Sequence, residues 1–175
     1  MPPNPPDLVV EHLRATHDRR GFDCGVDALN AFLQTQARKE MERRSAVTCV
    51  LVDMARPAEI VGYYSLSAAT VLLDAVPEDV ARRLGRQPNV RATLMGRLAV
   101  SSPHQGKGIG GRLLWDALIR SEHASRDIGS VAVIVDAKDE SAARFYERYG
   151  FRRFADPPLR LYIMMATIAA AANER

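Results

Sequence analysis

The sequence predicts one α/β domain: a central mixed β-sheet with helices on both faces and a splayed pair of strands at its centre. Three observations carry this. Strand-like and amphipathic helical runs alternate along all 175 residues, without a repeat or a linker. Residues 130–135 are nearly all apolar, as a central strand covered on both faces should be. A glycine-dense loop, residues 105–111, leads from one strand straight into a helix, which starts a right-handed parallel crossover to the strand at 130–135. A ligand of such a sheet belongs where the two strands separate at their carboxyl ends. The length suits one domain over residues 1–175 with one sizeable core, with an extended arm at 1–6 and a tail at 169–175 that is open to a helix.

The elements follow in order. Leu8-Val9-Val10-Glu11-His12-Leu13 reads as a first strand and Arg19-Arg20-Gly21 as a turn. From Asp27 to about Arg44, Leu29, Phe32, Leu33, Ala37 and Met41 form one apolar helical stripe, with basic residues in the last turns. Residues 47–52 form a buried strand. Arg56-Pro57 turns the chain into a strand over 60–71. Pro77 opens a short helix to Leu84, a place that suits proline, and 85–88 end it. Residues 92–100 are the fourth strand. Ile109, Leu113, Leu114, Ala117 and Leu118 keep helical spacing to about residue 125. A strand at 130–135, a helix at 139–149 and a last strand at 159–168 complete the fold.

Apolar content of 47% and charged content of 26% are those of an ordinary globular protein. No apolar run approaches the roughly 18 residues that a membrane span needs. The opening Met-Pro-Pro-Asn-Pro-Pro lacks the basic and apolar regions of a secretory signal. Cys24 and Cys49 form neither a disulfide framework nor a metal-ligand set, so no metal is expected and the cytoplasm is the default location. The net charge of +3 is unevenly spread: residues 80–112 hold Arg82, Arg83, Arg86, Arg91, Arg97, Lys107 and Arg112 and no acid. Such a run is usually a solvated face. Here it adjoins the glycine loop, so part of it suits a polyanionic ligand and the rest a nucleic acid.

The loop itself presents backbone N–H groups at a helix N-terminus, where the dipole favours a phosphate or pyrophosphate. It is not a Walker A loop, because Lys107 precedes Gly108 and no Ser or Thr follows. It is not a dinucleotide fingerprint either, because the third glycine is misplaced. A tight turn before a core helix is the plain alternative.

The order Gln105-Gly106-Lys107-Gly108-Ile109-Gly110 resembles the Q/R-x-x-G-x-G/A motif of the GNAT family of N-acetyltransferases. Arg97-Leu98-Ala99-Val100 resembles that family's fourth strand. Ala142-Ala143-Arg144-Phe145-Tyr146-Glu147-Arg148-Tyr149-Gly150-Phe151 resembles its A-x-x-F-Y-x-x-x-G-F segment. The resemblance implies acetyl-CoA as the cofactor. Its pyrophosphate would lie on Gln105, Gly106, Lys107, Gly108, Ile109, Gly110 and Gly111, and its pantetheine arm along Leu98, Ala99 and Val100. Tyr146 would be the acid beside the thiol; a packed core aromatic is the alternative, a part that suits Phe145 better because it shares the stripe of Ala142 and Tyr149. Many members carry Asn where this chain has Asp139, which can serve as a helix cap but cannot donate as an amide does.

Acetyl transfer needs a neutral amine, a held carbonyl and a proton for the leaving thiolate. No general base stands out among His12, His17, His104, His123, Glu59 and Glu78. An α-amine, with a pKa near 7.7–8.0, needs less help than a lysine near 10.4, so the acceptor leans toward an α-amine. Gly21-Phe22-Asp23-Cys24-Gly25-Val26-Asp27-Ala28-Leu29-Asn30-Ala31-Phe32-Leu33 resembles the opening of the GNAT toxins of bacterial toxin–antitoxin pairs, as do Gly62-Tyr63-Tyr64-Ser65-Leu66 and Gly96-Arg97-Leu98-Ala99-Val100. This resemblance implies acetylation of aminoacyl-tRNA, inhibition of translation, a ribbon-helix-helix antitoxin and a homodimer. Arg82, Arg83, Arg86, Arg91 and Arg97 become the expected tRNA contacts. Two other readings stay open: a GNAT enzyme for a small amine or a protein N-terminus, and a non-catalytic CoA- or nucleic-acid-binding module.

Overall fold

The computed structural model describes residues 6–85 and 87–174. Its strands are β1 (Leu8–His12), β2 (Val47–Asp53), β3 (Arg56–Leu72), β4 (Asn89–Val100), β5 (Ala132–Asp136), β6 (Arg152–Arg153) and β7 (Arg160–Met164). Its helices are α1 (Asp27–Ala31), α2 (Ala37–Glu42), α3 (Glu78–Leu84), α4 (Ile109–Ser125), α5 (Glu140–Arg148) and α6 (Met165–Asn173). A π-helical segment, Phe32–Gln36, joins α1 to α2.

The strands make one seven-stranded sheet in the order β1-β2-β3-β4-β5-β7-β6. β4 and β5 run parallel, whereas β1–β2, β2–β3, β5–β7 and β6–β7 are antiparallel pairs. The sheet is therefore mixed, as the sequence predicts. The parallel ladder pairs Thr93, Leu94 and Met95 with Val133, Ile134 and Val135; β4 itself runs on to Val100.

The chain packs as two compact units. The first takes the described residues up to Leu66 together with 97–117, and the second takes 67–96 together with the described residues from Leu118 onward. The first unit is built around Leu13, Phe22, Phe32, Leu33, Val50, Val52, Ile60, Tyr63 and Ala99. Tyr63 anchors it: its ring meets Phe22 edge-on at 5.4 Å and stacks on Phe32 at 6.1 Å. The Tyr63 hydroxyl donates to the Leu29 carbonyl at 2.7 Å, which satisfies the polar end that a buried tyrosine carries. The second unit is built around Val71, Val80, Ala92, Ile134, Phe154 and Tyr162. Arg153, between Glu140 and Glu147 at 2.6 and 2.7 Å, ties α5 to β6.

Four expectations need correction. The turn expected at Arg56-Pro57 falls two residues earlier, on Met54 and Ala55: the Asp53 carboxylate accepts the Ala55 N–H at 2.9 Å, a local closure that aspartate favours, and Arg56 already pairs with Asp53. The last strand stops at Met164 rather than 168. There the Met165 N–H turns to the Val131 carbonyl at 2.9 Å, and the alanine-rich run that follows takes its better conformation, a helix. The tail from 169 is helical, the reading open to it, and belongs to α6 as far as Asn173. The helix from Asp27 is interrupted: the Ala37 N–H bonds the Phe32 carbonyl five residues back. On α5 the fully buried residue is Ala143; Phe145 is half-buried and Tyr149 is 42% exposed. The arm expected over 1–6 lies outside the described residues apart from Pro6.

Candidate active site

β4 ends where the Ser101 N–H crosses to the Val61 carbonyl at 2.9 Å. A single 3₁₀ turn, Ser102–His104, follows. Gly106 and Gly108 then adopt left-handed φ angles of +74° and +76°, and a Cβ built on either would meet nothing within 4 Å. The two glycines thus turn the loop beside open space rather than within a crowded turn. α4 begins at Ile109, and its first backbone bond from this end is the Arg112 N–H to the Gly108 carbonyl at 3.2 Å. The N–H groups of Ile109, Gly110 and Gly111 precede that bond, so they are the orphan donors of the helix N-terminus. Donors of this kind, reinforced by the helix dipole, suit the pyrophosphate of a coenzyme.

The side chains around the loop are used differently from one another. Ala99 and Ile109 are buried, so they can offer a ligand only their backbone; Leu98 and Val100 are half-buried and Lys107 is exposed. Gln105 turns back into the fold: its amide donates to the Cys24 and Val100 carbonyls, each at 2.9 Å. Behind β4, Gly62 allows close approach. A Cβ there would lie 2.7 Å from Leu113 Cδ1 and 2.8 Å from the Ala99 carbonyl oxygen.

In the second unit, Asp139 caps α5 by accepting the Ala142 N–H at 2.8 Å, the role expected of it. Tyr146 lies two turns along this helix. Its ring is wedged against Phe145 at 5.2 Å and Phe151 at 5.4 Å. Among the described residues its hydroxyl makes no hydrogen bond, and burial pushes the phenol up to about 12. The group therefore keeps its proton at neutral pH.

Among the described residues the expected basic side chains each have their own surroundings. Arg82 pairs with Glu78 at 2.6 Å on the same helix, Arg91 donates to Thr70 Oγ1 at 2.6 Å, and both are exposed. Arg97 lays its guanidinium 3.5 Å over the Phe32 ring, a packing role rather than a free one. Arg83 is exposed and lines an open cavity of about 380 Å³ with Arg152 and Tyr162. Arg86 lies outside the described residues. Sequence reasoning missed Asp23 and Asn30, which hydrogen-bond to each other beside the segment that carries the loop. Their signal was the Asp-Cys-Gly sequence at 23–25, a turn composition with an amide side chain shortly after it. No helix among the described residues is long and apolar enough to cross a membrane.

A mixed sheet, a strand leading into an open glycine loop at a helix N-terminus, and a protonated tyrosine on the following helix define the acetyltransferase class. The family model for the acetyltransferase (GNAT) domain matches residues 46–153, and the chain belongs to that family. Among relatives, it is 32% identical over 160 residues to a tRNA-acetylating toxin of Mycobacterium tuberculosis, covering 90% of this chain and 92% of that protein. Among solved structures, AtaT complexed with acetyl-methionyl-tRNAfMet superposes with a TM-score of 0.88 at 27% identity, covering 95% of this chain and 99% of that one. AtaTR bound with AcCoA gives a TM-score of 0.83 at 28% identity, covering 95% and 98%.

Proposed function

We propose that this chain transfers the acetyl group of acetyl-CoA to the α-amino group of aminoacyl-tRNA and acts as a translation-blocking toxin. The observation that carries the substrate class is its likeness, over 90% of its length, to a tRNA-acetylating toxin. The left-handed Gly106 and Gly108 and the leading N–H groups of α4 fit the cofactor's pyrophosphate, and the backbone of Leu98, Ala99 and Val100 would pair with its pantetheine arm. When bound, the cofactor supplies the activated acetyl thioester.

The chain's own residues supply position and a proton. Tyr146, like any tyrosine, holds its proton at neutral pH, burial pushes its phenol further up to about 12, and its unengaged hydroxyl is ready to protonate the departing sulfur. A general base is not required of the protein: an α-amine with a pKa near 7.7–8.0 is partly neutral at working pH, whereas a lysine amine is not. The partners that go with this reading are a ribbon-helix-helix antitoxin and a second copy of the chain. The location is the cytoplasm, where charged tRNA is found.

The test is release of free CoA thiol with four acceptors: charged tRNA, the same tRNA deacylated, small amines and an N-terminal peptide. Release with charged tRNA alone is expected. Release only with small amines or peptide would make this an ordinary acetyltransferase, and no release with any acceptor would leave a binding module.

A further inference from the structure

The segment Asp23-Cys24-Gly25, with Asn30 beyond it, is bonded to the glycine loop through an unbroken series of hydrogen bonds. Asn30 Oδ1 accepts the Cys24 N–H at 2.9 Å, and Asn30 Nδ2 donates to Asp23 Oδ1 at 2.9 Å. The same Asp23 oxygen accepts the Gly25 N–H at 2.8 Å. The N–H side of the segment is thereby fixed. Its carbonyls carry the loop: that of Asp23 accepts the Ser102 N–H at 2.8 Å and the Ser102 hydroxyl at 3.2 Å. The Cys24 carbonyl accepts the Gln105 amide, which also donates to the Val100 carbonyl. Ser101 Oγ closes the turn onto His104 Nδ1 at 2.8 Å. Gly25 takes a φ of +82°, and the nearest atom to a Cβ built there is Ser102 Oγ at 3.9 Å.

From this geometry we infer that Asn30, acting through Asp23, is a positioning residue for the loop that carries Gly106 and Gly108, an inference that rests on that loop being the acetyl-CoA site. Glycine is the most freely moving residue, and a loop that must be ordered on binding loses affinity for it. Ser102 and Gln105, the two residues the clamp holds, lie within four positions of Gly106 on its N-terminal side. Asp23 is exposed and Asn30 half-buried, so the clamp is polar and peripheral to the apolar core. The Gly25 N–H and the Asn30 amide hold the Asp23 carboxyl below its ordinary range, which agrees with a carboxylate engaged in place.

The test uses the full chain, Asn30→Asp, and the exchange variant Asp23→Asn/Asn30→Asp. Asn30→Asp sets two carboxylates against each other and removes the donor; the exchange returns an amide and a carboxylate to the same pair in reversed order. Calorimetry with acetyl-CoA reads affinity, steady-state kinetics reads KM and kcat separately, and thermal melting reads the fold. Affinity should fall about tenfold in Asn30→Asp, the worth of one lost hydrogen bond to a charged group. KM for acetyl-CoA should rise by the same factor while kcat falls far less, and the exchange should return all three readings toward the parent. Parent-like affinity in Asn30→Asp would overturn the inference. So would an exchange variant that regains the parent's melting temperature but not its affinity, or one that fails to regain either. A parent protein that binds no acetyl-CoA would instead remove the reading beneath it, and the inference with it.

Discussion

Tyr146→Phe separates chemistry from packing at the proposed acid. The substitution removes one hydroxyl and leaves both ring contacts, at 5.2 and 5.4 Å, in place. As a general acid the hydroxyl should contribute roughly 10²–10⁴ in kcat, or about 3–5 kcal/mol of barrier. As a structural group it would contribute about 1 kcal/mol through a hydrogen bond, which for a chain of this size is about 2–4 °C in Tm. The hydroxyl has no hydrogen-bond partner among the described residues, so that structural contribution should be missing. The expected outcome is a large loss in single-turnover acetylation of charged tRNA with an unchanged Tm and unchanged acetyl-CoA affinity. The parent also carries a pH signature. Its phenol is raised to about 12, so the proton stays on through the ordinary tyrosine range, and activity should show no falling limb from this group until well above pH ~10. A fully active Tyr146→Phe variant, or one that loses Tm but not rate, would refute the assignment.

Four further perturbations test the surroundings. Gly108→Ala meets no neighbour but forces a methyl-bearing residue into the left-handed region, at about 1–2 kcal/mol; the loop should relax and acetyl-CoA binding weaken in calorimetry, and unchanged binding would remove this glycine from the site. Gly62→Ala drives a methyl against Leu113 and the Ala99 carbonyl, so thermal melting should show a loss of about 1–3 kcal/mol; a parent-like Tm would contradict the close approach of β3. Replacing Arg82, Arg83 and Arg91 together with Ala should weaken tRNA binding and flatten its salt dependence between about 50 and 200 mM, with acetyl-CoA affinity constant; an unchanged salt slope would make these residues a solvated face. Arg97→Ala should instead lower stability by roughly 0.5–2 kcal/mol through its lost contact with Phe32.

Much of the candidate site was legible in the sequence because it is local. The strand, glycine loop and helix from Arg97 to Leu118 announce themselves by composition and spacing, and Asp139 sits where a cap must. What escaped reading is set by distant partners. Arg97 looks like a free cation in a basic run, and only the Phe32 ring, brought over it by the fold, shows its packing role. Asn30 looks like one polar position on a helix, and its pairing with Asp23 requires the turn at Gly25 to be built first. The end of β7 escaped because an apolar run reads equally as strand or buried helix. The π-helical segment at Phe32–Gln36 escaped because Leu29, Phe32, Leu33, Ala37 and Met41 keep the spacing of an uninterrupted α-helix.

The most direct measurement is the chemical identity of the product. The purified protein is incubated with acetyl-CoA and total charged tRNA, the aminoacyl bond is cleaved with mild base, and the released amino acids are analysed by mass spectrometry. The expected result is one or more amino acids carrying an acetyl group on the α-nitrogen, absent when acetyl-CoA is omitted or Tyr146→Phe replaces the parent. Unmodified amino acids from tRNA, alongside CoA release on a small amine or a peptide N-terminus, would contradict the proposed function.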